Sequence, residues 1–149
     1  MKITILTVGK IKDSSIKKLI EKYLKRINRF TRIKILEIKD SNKEQESKKI
    51  ISFVKENSSD KKYYLLDEKS DNLDSKEFSK LLDESKQEVK ELIFIINGAY
   101  GPTKELKDLI KTKISLSKMT YPHEIAQLIL IEQIYRGFTI LKNIPYHKE

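Results

Sequence analysis

The chain has 149 residues, no cysteine, 36% charged residues and a formal net charge of +9 at neutral pH. This length predicts a single domain over residues 1–149, large enough to bury about two thirds of the surface of its unfolded chain. No apolar run approaches the roughly 18 residues of a membrane span, and without cysteine there is no disulfide framework or thiolate metal site, so we expect a cytoplasmic protein.

The positive charge is concentrated near the N-terminus. Residues 1–60 hold 16 Lys and Arg against 8 Asp and Glu, whereas residues 61–149 hold 15 against 14. Between Lys10 and Lys34 the only acidic residues are Asp13 and Glu21. A one-sided basic face attracts phosphate backbones and favours a nucleic-acid partner. Because lysine is abundant throughout the chain, an ordinary solvated helix explains the same pattern.

The first half of the chain alternates apolar runs with helical patterns. Strands are predicted at 3–8, 33–38 and 63–66, and the apolar spacing predicts helices at 14–30, at 41–56 and from residue 74. Ser41 with Glu44, and Asp74 with Glu77, have the spacing of capping boxes at the starts of the second and third helices.

The second half predicts a fully buried strand at 92–96, because its five residues are apolar without alternation. A short helix capped by Thr103, a strand at 114–116 and a last helix from Pro122 to about Leu141 follow. Strands interleaved with helices indicate an α/β domain, with a mostly parallel sheet of five to six strands and helices on both faces. Ligands of such sheets bind at the carboxyl ends of the strands.

Several common enzyme motifs are missing. The four glycines do not form a dinucleotide fingerprint or a Walker A loop, and no Gly-x-Ser-x-Gly elbow occurs. Two histidines make a histidine-based metal site unexpected. Gly98 and Gly101 flank a tight turn after the fourth strand. They either supply turn dihedrals or allow a cofactor to lie against the backbone.

The last helix is apolar almost all round, which is expected when a second copy of the chain covers it, as in a homodimer. Glu132 and Arg136 are spaced to pair on its polar stripe. His123 after Pro122 either caps this helix or serves the site. His147, in the tail, can exchange protons near neutral pH.

Four motifs carry a resemblance to a known family. These are Asn-Gly-x-x-Gly from residue 97, Leu-Ser-x-Met-Thr-x-Pro-His from 116, Glu-Gln-x-Tyr-Arg from 132 and Pro-Tyr-His from 145. Together they resemble the RlmH family, small SPOUT-class methyltransferases that methylate N3 of a pseudouridine in large-subunit ribosomal RNA. The likeness extends over the whole chain.

The resemblance implies a deep trefoil knot in the C-terminal part, a homodimer, and S-adenosyl-L-methionine held by the knot loops. By motif, the implied cofactor residues are Leu66, Gly98, Ser117, Lys118, Met119, Thr120, Tyr121 and Pro122. Arg136, Tyr146 and His147 would serve the target nucleotide, with the tail reaching the partner's cofactor. His147 is the first candidate to handle the N3 proton and Glu132 the second.

The chain departs from the family pattern at three places. Asn97-Gly98 replaces a Gly-Gly pair, Ser70-Asp71 replaces Gly-Lys, and Lys148 replaces an arginine. We expect ribosomal RNA, or the ribosome, as partner, without metal or membrane. Two alternatives remain open: a non-catalytic basic RNA-binding protein that assists ribosome assembly, and an α/β enzyme acting on another phosphorylated substrate.

Overall fold

A computed structural model describes residues 1–56 and 59–148. Strands and helices alternate along the chain. The strands are β1 (Lys2–Val8), β2 (Arg32–Ile38), β3 (Lys61–Leu66), β4 (Glu91–Ile96) and β5 (Lys113–Ile114). The helices are α1 (Ser14–Ile27), α2 (Lys43–Glu56), α3 (Ser75–Glu88), α4 (Lys104–Leu109) and α5 (His123–Leu141).

The five strands form one sheet in the order β2-β1-β4-β3-β5, and every neighbouring pair is parallel. The predicted α/β class is therefore confirmed. The fifth strand is shorter than predicted, because Ser115 makes only an isolated bridge to Asn72. Parallel pairing places the carboxyl ends of all the strands on one edge of the sheet, which we call the carboxyl edge.

Apolar side chains cover both faces of the sheet. On one face Phe94 packs with residues of α1, α3 and α5, and on the other Ile95 packs with residues of α2 and α4. All five residues predicted for the central strand β4 are buried. This two-sided core explains their continuous apolar run, since neither face of β4 meets water.

Helix starts follow local side-chain hydrogen bonds. The predicted capping box of Asp74 and Glu77 is present, and Thr103 caps α4. The prediction of a cap at Ser41 is wrong. Asn42 accepts from the Gln45 N–H, while the Ser41 N–H donates to the Glu46 carboxylate. Asn42 therefore takes the capping role, one residue later than predicted, and α2 begins at Lys43.

The end of α1 also differs from its prediction. The helix stops at Ile27, where Asn28 takes the C-cap position and its side chain binds Leu24 O and the Ile33 N–H. Phe30 lies beyond the helix and stacks on Phe138 of α5 at 5.6 Å between ring centroids. Its apolar character therefore serves packing against α5 and does not extend the helical stripe.

A polar contact joins strands at the opposite, amino edge of the sheet. The Glu91 carboxylate accepts from the Thr4 hydroxyl and lies 3.2 Å from Lys61 Nζ. Burial opposes ionisation of this carboxyl, but the Thr4 hydrogen bond and the Lys61 charge hold the pKa of Glu91 below its ordinary value. The charged form of Glu91 thus stabilises the junction of β1, β3 and β4.

Helix α5 packs against both α1 and α3. Gly137 permits the close approach to α3, because a Cβ at this position would lie 2.7 Å from Leu82 Cδ1. Among the described residues, no helix has the length and apolarity needed to cross a membrane.

Candidate active site

Three loops lie side by side at the carboxyl edge. Leu66 ends β3, Gly98 follows β4, and residues 117–122 follow β5. Because β4, β3 and β5 are neighbours in the sheet, their loops are neighbours as well. The structure therefore brings all the cofactor residues that the resemblance implies to one edge.

The loop at 117–122 is tied down at both ends. Before it, Ser115 Oγ donates to Ser117 O at 2.7 Å, and Ser117 Oγ accepts from the Met119 N–H at 3.0 Å. After it, Glu124 Oε1 accepts from the backbone N–H groups of Lys12 and Asp13. Between these anchors the loop is open, with Met119 73% exposed.

The two glycines of the neighbouring loop have different reasons to be glycine. Gly101 has φ +73°, a left-handed conformation that favours glycine, so its role in the turn is conformational. Gly98 has no positive φ. A Cβ on Gly98 would lie 2.7 Å from Glu46 Oε1 and 3.1 Å from Val8 Cγ1. Gly98 is therefore needed where the loop packs on α2 and β1.

Two buried polar atoms at the carboxyl edge have unused hydrogen-bonding capacity. Asn97 Nδ2 and His123 Nε2 are buried and have no hydrogen-bond partner within the described part of the chain. His123 does not cap α5, because Pro122 holds the N-cap position without a side-chain hydrogen bond. Instead, the His123 ring packs beside Gly9, 3.6 Å from where a Cβ would stand. Asn97 Nδ2 is a donor, and His123 Nε2 donates or accepts according to its tautomer, so both can pair with polar atoms of a nucleoside-type cofactor.

A second cluster centres on the Glu132 carboxylate of α5. Oε1 accepts from Arg136 Nε at 3.0 Å, from Arg136 Nη2 at 2.6 Å and from Tyr146 Oη at 2.9 Å. Oε2 accepts from Gln133 Nε2 at 2.8 Å. Glu132 therefore holds the tail residue Tyr146 and the helix residue Arg136 together.

His147 joins this cluster through Arg136. Arg136 Nη1 lies 3.2 Å from His147 Nδ1, and a guanidinium can only donate, so Nδ1 accepts. The hydrogen bonds to Glu132 raise the pKa of the Arg136 guanidinium above its ordinary value. Burial, with hydrogen bonds to Tyr23 and Glu132, raises the pKa of Tyr146 well above its ordinary value. At neutral pH, Arg136 is charged and Tyr146 is protonated.

Sequence reasoning missed three residues that complete this cluster. Tyr23 Oη lies 3.1 Å from Tyr146 Oη, and Tyr135 packs edge-on against Tyr146 at 4.8 Å between centroids. The Arg26 guanidinium contacts the rings of Tyr23 and Tyr135. Tyr23 belonged to the apolar stripe of α1, and a buried tyrosine usually needs a partner for its hydroxyl. For Tyr23 that requirement was the available signal, and for Tyr135 the signal was its place in the Glu-Gln-x-Tyr-Arg motif.

The two clusters are far apart within one chain. Arg136 follows Pro122 by 14 residues of continuous helix, which corresponds to about 21 Å along the axis at 1.5 Å per residue. Two surface cavities, one lined by Phe30 and Phe138 and the other by Phe78 and Ile129, contain none of the implied cofactor residues. One protomer thus presents two separate surfaces. The first is the part of the carboxyl edge that carries the implied cofactor residues, which we call the cofactor edge, and the second is the cluster around Glu132 with the tail residues Tyr146 and His147, which we call the tail cluster.

The outer face of α5 connects these surfaces. Ile125, Ile129, Glu132, Arg136 and Ile140 recur on it at helical spacing, and all five are only half-buried. We call this face the outer stripe. Across the described residues, no group of three or more His, Cys, Asp or Glu side chains is arranged to hold a metal ion.

Comparison with known proteins identifies the family of the chain. A family model described as "Predicted SPOUT methyltransferase" matches residues 1–147. A protein of Caldicellulosiruptor saccharolyticus named ribosomal RNA large subunit methyltransferase H is 38% identical over 98% of this chain and 99% of its own length. Proteins of the same name from Carboxydothermus hydrogenoformans and Malacoplasma penetrans are 37% and 39% identical, each over 99% of this chain and their whole length. The five-stranded parallel sheet agrees with the knotted α/β fold of the matched family. The chain therefore belongs to the SPOUT methyltransferase family.

Proposed function

We propose that this protein uses S-adenosyl-L-methionine to methylate N3 of a pseudouridine in large-subunit ribosomal RNA, in the cytoplasm and on the assembled ribosome. The observation that carries the proposal is the cluster in which Glu132 joins Arg136 to Tyr146 and, through Arg136, to His147. Relatives matched over nearly their full length carry the name of a large-subunit ribosomal RNA methyltransferase.

The working enzyme is a homodimer in this proposal. The cofactor edge and the tail cluster lie about 21 Å apart along one α5, too far for one tail residue to meet a methyl group at its own edge. The half-buried isoleucines of the outer stripe give a second copy an apolar surface to cover. A dimer through this stripe would bring the Arg136 cluster of one protomer to the cofactor edge of the other.

The cofactor site of each protomer comprises Leu66, Gly98 and residues 117–122. When bound, S-adenosyl-L-methionine supplies an activated methyl group, so the protein needs little covalent chemistry of its own. The anchored 117–122 loop would position the donor. Asn97 Nδ2 and the loop backbone provide hydrogen-bond donors at this edge.

The target base reacts when its N3 proton passes to bulk water, and the negative charge left on the base then spreads to the adjacent carbonyl oxygens. Because Arg136 donates to His147 Nδ1, the neutral imidazole carries its proton on Nε2. In this tautomer His147 would donate to a carbonyl oxygen of the base and stabilise the developing anion. Glu132 already accepts four hydrogen bonds, so it acts as a positioning residue for Arg136 and Tyr146.

Substitutions of His147 test this role. His147→Gln places an amide N–H near the position of Nε2, whereas His147→Ala removes the donor. We expect the glutamine variant to keep a substantial single-turnover rate and the alanine variant to lose about 100-fold, as for other donors to a developing anion. If His147 instead takes the N3 proton, both variants will be equally slow, because neither an alanine nor a glutamine side chain acts as a base at neutral pH.

Cofactor binding distinguishes the proposed methyltransferase from the two alternative functions. Calorimetry with S-adenosyl-L-methionine should detect binding to the purified protein, whereas an RNA-binding assembly protein and an enzyme of another phosphorylated substrate would bind none. Mass mapping of ribosomal RNA, methylated in vitro as naked RNA or as assembled ribosomes, then locates the methyl group. Recovery of the methyl on a ribose oxygen or a transfer RNA would refute the proposed target.

A further inference from the structure

A guanidinium on α1 is held by two aromatic rings. Arg26 Cζ lies 5.5 Å from the ring centroid of Tyr23 and 5.6 Å from that of Tyr135. The two rings lie 5.7 Å from each other, so the cation and the rings form a nearly equilateral triangle. Cation–π contacts of this kind fix the guanidinium but use none of its N–H donors.

The charge of Arg26 has no counter-ion among the described residues, in contrast to that of Arg136. Arg136 also sits over a ring, that of Tyr146, with Cζ at 4.8 Å, but its donors are bound to Glu132 and His147. Within the described part of the chain, no carboxylate or other acceptor binds the Arg26 guanidinium. Its five donors therefore remain available to an external anion.

Arg26 is next to the tail cluster. Tyr23, one of the two rings that hold it, makes a hydroxyl–hydroxyl hydrogen bond to Tyr146, and Tyr135 packs directly on Tyr146. On the solvent side Lys22 and Lys25 are exposed on the same helix, and Arg29 is exposed just beyond its C-terminal end, so all three add positive charge. An anion at Arg26 would thus lie one aromatic side chain away from the residues proposed to hold the target base.

We infer that Arg26 is a binding residue for a phosphodiester of the RNA strand beside the target nucleotide. Arginine presents two parallel N–H groups that match two phosphate oxygens, and fixing its plane in advance reduces the entropy lost on binding. This inference rests on the proposed function for the identity of the strand. It adds a specific contact to the general attraction of the basic α1.

Three variants test the inference. Arg26→Gln removes the charge and the fork, Arg26→Lys keeps the charge and removes the fork, and Arg29→Gln removes an exposed arginine just beyond the end of the same helix. Binding to the organism's own large-subunit ribosomal RNA is measured by filter retention at several salt concentrations. Thermal unfolding and calorimetry with S-adenosyl-L-methionine check that fold and cofactor affinity are unchanged.

We expect Arg26→Gln to weaken RNA binding about tenfold, and to lower the slope of log K against log salt by about 0.7–0.9, the contribution of one phosphate contact. Arg26→Lys should keep the slope but recover only part of the affinity, and Arg29→Gln should weaken binding by about twofold, as a screened surface charge does. Equal losses for Arg26→Gln and Arg29→Gln, or full recovery with lysine, would overturn the inference. Failure of the wild type to transfer methyl groups would instead refute the proposed function, since these RNA affinities are measured without turnover.

Discussion

Gly98→Ala tests whether Gly98 is needed for packing within the protein or for binding the cofactor. The resemblance places Gly98 at the cofactor, yet a Cβ on this residue would point toward α2, 2.7 Å from Glu46 Oε1 and 3.1 Å from Val8 Cγ1. Since Gly98 has no positive φ, alanine introduces no backbone strain. Any loss must then arise from these two contacts.

The size of the loss follows from the freedom of Glu46. Its carboxylate is the end of a long side chain, but it is 4% exposed and Oε2 is bound by the Ser41 N–H at 2.7 Å. We therefore expect an overpacking cost of about 1–2 kcal/mol, in the lower part of the usual range. Alanine also reduces the conformational entropy of the unfolded chain, which stabilises the folded protein by about 0.4–1 kcal/mol. The net loss is about 1 kcal/mol, or about 2–4 °C in Tm for a chain of this size.

A double-mutant cycle checks the assignment. In a Glu46→Ala background the clash with Glu46 Oε1 is relieved, so Gly98→Ala should become nearly neutral in Tm. Glu46→Gln is the matched control, because it keeps the size of the side chain and should give no rescue. If Gly98→Ala leaves Tm unchanged but abolishes S-adenosyl-L-methionine binding in both backgrounds, the glycine serves the cofactor and the packing argument fails.

Three further predictions concern stability, the tail and assembly. The free energy of unfolding should fall as the pH drops below about 4.3, because protonation of Glu91 removes the interactions that lower its pKa. In urea titrations at several pH values, Glu91→Gln should make this fall smaller. If the free energies of the variant and the wild type fall in parallel with pH, the prediction is wrong. Glu132→Ala should release the tail and speed tryptic cleavage after exposed Lys142, and an unchanged cleavage rate would show that Glu132 does not hold it. Ile129→Glu on the outer stripe should give a monomer in light scattering, whereas Leu109→Glu on α4 should not; a stable wild-type monomer at micromolar concentration would exclude the proposed dimer.

Much of the fold could be predicted because its signals are local. The unbroken apolar run of β4 indicated a strand covered on both faces, and Asp74 and Thr103 cap their helices as their spacing predicted. The errors occurred where distant contacts decide a boundary. Phe30 continues the apolar stripe of α1 in sequence, but it serves a stacking contact with Phe138, more than 100 residues away. A local pattern cannot distinguish these two roles.

The candidate site shows the same division. The motifs identified Glu132, Arg136, Tyr146 and His147 as candidate site residues. The hydrogen bond from Tyr146 to the Glu132 carboxylate and the orientation of His147, however, depend on how the tail folds back over α5. Arg26 was one of ten basic residues between Lys10 and Lys34. Only tertiary packing distinguishes it from the others, because both rings that hold it must come together first.

The strand order has a consequence for synthesis of the protein. The central strand β4 pairs with β1, and Lys2 of β1 lies opposite Glu91, 89 residues further along the chain. β1 can pair early with β2, but its other edge stays open until β4 has been made. At about 5–20 residues per second, that edge waits roughly 5–20 s on the ribosome. An apolar strand with an open edge is prone to associate with other chains. We therefore expect newly made chains to depend on chaperones more strongly than the small size of the domain suggests.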